Sequence, residues 1–312
     1  MAVSTKIISK LAMQIQSGAS YESNAMFLVP VTGGKLKQTF SKINDESYNG
    51  EAFTDLPQKG VQDIEGTISF QVEKITFAKI LEAAFGTVNT LVYTLGSNTK
   101  KLSVVFYDGV KTYKYANVYI KSLKISGSTD QKIMGEMTLI GATAEVRDDT
   151  AFPSYTAHSE YFTFHEVTCR IGDQADALAV GDDRTIEEFS IDIMCGFGTQ
   201  HANTPRTILT PIFGMERPSV TGSVKIARHD ADTFLAWRDA FTKLQMSLDI
   251  YKSATSRVVL QVPNFIIDCD LSDDDITSNS LSLSIGRNGI GTSYTNTNIS
   301  YVSPVIATVT QS

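Results

Sequence analysis

Histidine, cysteine, tryptophan and proline are all scarce in this chain of 312 residues, which holds 4 His, 3 Cys, 1 Trp and 8 Pro. Each shortage closes off a class of function. Cys169, Cys195 and Cys269 are odd in number, widely spaced and confined to the second half, with no CxxC pair. Neither zinc nor redox motifs are therefore expected. Cys195 and Cys269 sit in apolar, strand-like runs and read as buried thiols, in keeping with synthesis in a reducing compartment. His158, His165, His201 and His229 show no HExxH or HxH spacing. No GxSxG elbow or catalytic-looking cysteine accompanies them. His165 beside Glu166 and His229 near Asp232 read as surface residues. No apolar run approaches the roughly 20 residues of a membrane helix. Met1 to Ser20 carries Lys6 and Lys10 but not the apolar core of a signal peptide.

Two further stretches invite a ligand and lack the context for one. Gly286-Arg287-Asn288-Gly289-Ile290-Gly291 looks like a phosphate loop, but such a loop must open a helix. Thr292 to Asn298 is Thr, Ser and Asn around one Tyr, which starts no helix. Asp273-Asp274-Asp275, with Asp268 and Asp270, lacks the alternating ligands, central Gly and terminal Glu of a calcium loop, and reads as a solvated hairpin tip. The expectation is no catalytic residue, no metal and no cofactor.

What remains is ordinary for a soluble globular protein: 42% hydrophobic and 20% charged residues. Gly, Ser, Thr, Asn and Val are plentiful, and long Ala/Leu/Glu tracts are missing. That mixture predicts a mainly β (α+β) chain with few helices. The length allows two domains, each able to bury its own core.

A repeat supports that division. Residues 64–92 and 220–248 match in apolar phase at a constant shift of 156, pairing Gly66/Gly222, Ile68/Val224, Phe70/Ile226, Leu81/Trp237, Phe85/Phe241, Val88/Leu244 and Val92/Leu248. A shift of half the chain points to a duplicated domain rather than a short solenoid repeat. Ile68, Phe70 and Val72 alternate with Thr67, Ser69 and Gln71, as in a sheet with one buried face. Helical spacing follows, so Leu81 and Phe85 in the first copy, and Phe234, Trp237 and Phe241 in the second, are predicted as the core stripe of a short helix. Further echoes pair Phe40-Ser41 with Phe189-Ser190 at a shift of 149, and Asn117–Ile120 with Asn264–Ile267. Met137–Ile140 and Leu281–Ile285 correspond as closing strands. The 149 shift implies that the second copy gained seven residues in the long polar loop before the strand–helix unit.

The predicted organisation is an N-terminal arm over 1–25, a first domain over 26–145, a linker over 146–160, a second domain over 161–290 and a strand or tail over 291–312. In the arm, Ile7, Ile8, Leu11 and Ile15 form an amphipathic pattern. The apolar stretch Val302–Val309 reads as a last strand or as an extension that pairs with a neighbour. Charge divides unevenly. Residues 1–156 hold 16 Lys+Arg against 15 Asp+Glu, and residues 157–312 hold 11 against 19, which makes the halves +1 and −8. An acidic chain is ill suited to gripping nucleic acid, though it can surround DNA without gripping it.

The order of strand pairs, long loop, strand, short helix and closing sheet, with Ile80-Leu81-Glu82-Ala83-Ala84-Phe85-Gly86, Asn117-Val118-Tyr119-Ile120-Lys121-Ser122-Leu123 and Gly135–Ala142 (GEMTLIGA), resembles the tail tube proteins of tailed bacteriophages. The resemblance covers about 35–142 and about 180–290. It implies two tandem β-sandwich or barrel domains, each with one flanking helix, that assemble into stacked rings. It implies that DNA passes through the lumen without specific binding. It also implies a trimeric, pseudo-sixfold ring, contacts with baseplate, terminator, tape-measure or sheath proteins, and residence in the virion after synthesis in the bacterial cytoplasm. The loop carrying Asn44, Asp45, Glu46, Tyr48, Glu51 and Asp55 is expected to reach an adjacent ring. Rival readings are a tail terminator, a baseplate hub or a contractile-injection tube. A binding β-sandwich would need an exposed cluster among the loop aromatics Tyr48, Phe53, Phe197, Phe213 and Tyr294.

Overall fold

The computed structural model describes residues 10–43, 58–89, 92–95, 100–148, 152–156, 160–200, 210–213, 216, 218–227, 231–267, 278–285 and 306–311. The chain is mainly β, with curled sheets and two short α-helices. The first half contains β1 (Lys10–Gln16), β2 (Met26–Val29), β3 (Val31–Ile43), β4 (Gln58–Gln71) and α1 (Lys74–Phe85). It continues with β5 (Gly86–Asn89), β6 (Val92–Leu95), β7 (Lys101–Tyr107), β8 (Thr112–Ser128) and β9 (Met134–Asp148). A two-residue strand, β10 (Tyr155–Thr156), leads to the second half, which begins with β11 (Val167–Asp173), β12 (Asp183–Arg184), β13 (Ile186–Met194), β14 (Phe197–Gln200) and β15 (Thr210–Phe213). It ends with β16 (Ser219–Ala227), α2 (Ala231–Asp239), β17 (Leu244–Ser253), β18 (Ser256–Ile267), β19 (Ser278–Ile285) and β20 (Ile306–Gln311).

Alternation builds these strands. Ile64, Ile68 and Phe70 are buried while Glu65 and Thr67 face solvent, so β4 covers the core with one face. The period then changes from two to 3.6. Along α1, Phe77, Ile80, Leu81, Ala84 and Phe85 are all at or near zero exposure. Glu73 caps this helix by accepting the Thr76 N–H at 2.9 Å, and Gly86 (φ 78°) ends it. Each fully buried Phe or Leu contributes about 1.5–3 kcal/mol of transfer free energy, so the stripe, rather than helix propensity, holds the helix to the sheet.

Strand order recurs in the two halves. In the first, the antiparallel neighbours run β2-β1-β7-β8-β9-β4-β3. In the second, they run β12-β11-β17-β18-β19-β16-β13. Irregularities recur too. A bulge after Val31 in the β3–β4 pair is matched after Ile186 in the β13–β16 pair, and one at Leu102/Val104 is matched at Leu244/Met246.

The registers correct several sequence expectations. Leu36 opposes Gly66 and Ile191 opposes Gly222, so β3 and β13 correspond at a shift of 155, not 149. The two shifts differ by an even number and present the same face, which alternation alone cannot separate. The seven-residue gain therefore disappears. Val88 opposes Tyr93 inside the β5–β6 hairpin, whereas Leu244 and Leu248 lie in β17, the counterpart of β7. The matches Val88/Leu244 and Val92/Leu248 are thus coincidental, and the first half holds a hairpin that the second lacks. The echo of Asn117–Ile120 in Asn264–Ile267 agrees with the register, since Val118 opposes Leu102 as Phe265 opposes Leu244.

Lys10 to Gln16 is no arm. It is β1, paired to β2 and β7, with Leu11 and Met13 fully buried. The predicted linker is likewise shorter, because β9 runs to Asp148 and β10 pairs in parallel with β2. Near the C-terminus, β20 pairs within the chain, to β18 and to β6, and joins the hairpin of the first half to the sheet of the second.

Candidate functional site

The halves meet along a seam in which β8 and β13 are antiparallel neighbours, Ser122–Ser128 against Glu188–Met194. Below it Leu123, Ile125, Phe189, Ile191 and Ile193 are buried, and the two cores are continuous. The strand order β3-β4-β9-β8-β13-β16 is therefore one sheet that crosses from one half to the other.

The face of this sheet away from the core is largely polar, broken by Met134 and Met194 and, at one end, by Ile140 and Tyr119, where Tyr119 packs on Phe197. Register and burial place on it Lys35 and Lys37 of β3, Glu65, Thr67 and Ser69 of β4, and Glu136 and Thr138 of β9. It continues over Ser122, Lys124 and Ser126 of β8, Glu188, Ser190 and Asp192 of β13, and Thr221, Ser223 and Lys225 of β16. One aromatic residue, Tyr119, stands in these rows, at the end of the row that runs from Lys37 through Glu65 and Ile140. Cations and carboxylates alternate across them: Glu136, Lys124 and Asp192 stand opposite one another on three strands, and Lys37 opposes Glu65. Lys225 Nζ lies 3.1 Å from the Glu187 carboxylate at the edge of the same face. Such cross-strand pairs contribute about 0.2–1 kcal/mol each. Their larger effect is on the field, because four lysines among four carboxylates in these rows, with Asp63 at one end, leave no patch of one sign among the described side chains of these rows to hold phosphate.

The sheet ends on β3. Among the described residues its only strand partner is β4, so its outer edge carries open backbone donors and acceptors beside the exposed Lys35 and Lys37.

Of the predicted helix residues, Leu81, Phe85 and Phe234 are fully buried. Trp237 is partly buried, edge-on to Phe234 at 5.3 Å, with the Arg184 guanidinium 5.6 Å above its ring. Phe241 is a correction: α2 stops at Asp239 and the chain reverses, leaving Phe241 75% exposed. Asn44, Asp45, Glu46, Tyr48, Glu51 and Asp55 lie outside the described residues, as do His158, His201, His229, Cys269, the aspartate run and the glycine run. Phe197 is buried, packed on Tyr119 (4.8 Å) and Phe213 (5.5 Å), so these two aromatics form no exposed binding cluster.

His165 lies 3.3 Å from Asp130, both exposed, and Glu166 caps a turn by accepting the Thr163 N–H at 2.8 Å. Among the described residues, no cluster of three His, Cys, Asp or Glu could hold a metal ion. Burial pushes the Cys169 and Cys195 thiols up to about 12. Neither thiol is expected to react with iodoacetamide at pH 8 in the native protein, and both should react in denaturant. Rapid native alkylation of either, located by peptide mass, would contradict their burial.

Sequence reading missed the seam and the edge, because partner choice between strands leaves no local mark. No curated protein matches the chain. The sequence profile of the phage tail tube proteins matches residues 10–282, a span that takes in both halves, the seam and both helices. With the match spanning most of its length, this mainly β chain, whose largely polar wall crosses two like-ordered halves, belongs to the phage tail tube protein family, a structural family of the virion tail.

Proposed function

We propose that this chain self-assembles into rings that stack into the tail tube, with the polar sheet face lining the channel through which phage DNA passes. The seam carries the reading. β3 stands to β4 as β13 stands to β16, and β13 is the strand that receives β8. The free edge of β3 is therefore the place for the second half of a neighbouring chain, joined as the two halves are joined within one chain. Repetition of one head-to-tail contact closes a ring when the rotation allows it. Closure also removes the open edge. The charge difference, +1 for the first half and −8 for the second, favours unlike halves as neighbours.

The two halves are read as a duplicated tube domain. Matched strand order and matched bulges support this, as does a shared glutamine device. Gln16 donates to the Ser20 carbonyl (2.7 Å) and accepts the Asn117 N–H (3.1 Å), while Gln174 donates to the Pro263 carbonyl (3.0 Å) next to Asn264. Three chains then supply six wall segments. Residues 44–57, with their carboxylates and Tyr48, reach an adjacent ring. Baseplate, terminator, tape-measure and sheath proteins meet the tube at its ends, lumen or outer surface, and synthesis takes place in the host cytoplasm. A near-neutral, Ser/Thr-rich wall lets DNA slide, where clustered lysines would trap it.

Electron microscopy of the purified chain should give long tubes built of six-lobed rings, and native mass measurement should find three chains per ring. Six chains per ring would overturn the trimer and leave the tube standing. Closed rings that never stack would favour a terminator or hub.

A further inference from the structure

The end of α2 is built against local preference. Its last turn closes by bonds from the Phe241 N–H to the Arg238 carbonyl (3.0 Å) and from the Thr242 N–H to the Trp237 carbonyl (2.9 Å). This Schellman-type stop requires a left-handed residue, usually glycine, at the position of Phe241. Phe241 adopts φ 50°, and its ring is 75% exposed. The first half ends its helix in the favoured way, on Gly86, and buries Phe85 completely. A strained backbone that holds a bare aromatic ring in water gains nothing in the isolated chain.

What covers α1 indicates what covers α2. Between α1 and β7 the first half inserts the β5–β6 hairpin. The hairpin packs on α1 and pairs through β6 with β20, and α1 itself lies against β18 and β20 of the following half. α1 and the hairpin that follows its C-terminal end are thus part of the junction between successive halves. Between α2 and β17 only residues 240–243 intervene, so the second half has no hairpin to cover its helix end.

We propose that Phe241 and the C-terminal turn of α2 dock onto the first half of the next copy of this chain within the ring, as α1 and its hairpin pack on the half that follows them. This inference rests on the ring reading and names a second contact of the same interface, on a different element from the β3 edge.

The test is Phe241→Gly, with Phe241→Asn as a second variant, since both residues tolerate the left-handed conformation. The unassembled variants should be folded, with Tm unchanged or raised by about 2 °C from relief of strain. The concentration at which rings form should rise about tenfold or more, from loss of one buried aromatic per junction. An unchanged threshold in light scattering would overturn the proposal while leaving the tube intact. Variants that close normal rings but cannot stack them would also overturn it, placing the contact between rings. A wild-type chain that assembles at no concentration would overturn this proposal and the ring reading together.

Discussion

Replacing residues 44–57 by an Asn-Gly turn will leave a folded chain that closes rings and does not elongate into tubes. Ile43 opposes Gln58, so the base of the segment is already closed by the β3–β4 ladder. Directly opposed strand residues are about 5 Å apart, a gap that a two-residue turn of this type spans with the right twist. Every described core residue is kept, and shortening a loop lowers its closure entropy slightly. The deletion does remove Asn44, Asp45, Glu46, Tyr48, Glu51 and Asp55, the groups proposed to reach the next ring. Melting followed by circular dichroism should move by no more than about 2 °C, the scale of a sub-kcal/mol change in a chain of this size. Micrographs should show isolated rings. Full-length tubes from this variant would end the inter-ring role of the segment.

The largest effect on stability is expected at Gly135. It opposes Phe70 on the neighbouring strand, and a Cβ at Gly135 would lie 2.3, 2.6 and 2.8 Å from three atoms of the Phe70 ring. Phe70 is 1% exposed inside the continuous core, and Gly135 is held on both sides by β4 and β8. Neither can move aside without breaking a ladder. Gly135→Ala should therefore cost about 3 kcal/mol, the upper end of ordinary overpacking. Phe70→Leu makes room, so the double variant should be more stable than the sum of the single changes predicts, by more than about 1 kcal/mol. Denaturant midpoints of the four proteins measure this directly. Strict additivity would mean that the ring and the glycine are not in contact.

How much of this was legible depended on whether a feature is local. The alternation of Ile64, Ile68 and Phe70 and the stripe of Leu81 and Phe85 are periodic in sequence, and the fold obeys them. Phe241 continues the same stripe by spacing, yet it is exposed, because a helix that stops at Asp239 no longer carries its period forward. Sequence held a weak sign of that stop: Gly86 follows Phe85, and no glycine stands at the corresponding place in the second half. Around Lys10 to Gln16 the spacing of Ile7, Ile8, Leu11 and Ile15 suggests an amphipathic arm. Leu11 and Met13 are buried in the main core with Ile15 packed against it, a period of two, while Ala12 is buried on the other face, as befits a strand flanked by β2 and β7.

By itself the sequence determined the β-rich class, the shortage of residues for catalysis, the recurrence at a shift of about half the chain and the unequal charge of the halves. These are properties of composition and of spacing along one strand or helix, where side chains a few residues apart share a face. Only the tertiary structure decided that β8 joins β13, that β20 ties the halves together a second time, that β3 has one strand partner among the described residues and that the wall facing away from the core is largely polar with its described charges balanced. Pairing between strands is chosen by backbone hydrogen bonds common to every residue, and a shift by an even number keeps the same face. Partner and register therefore emerge only when all the strands compete for one another at once.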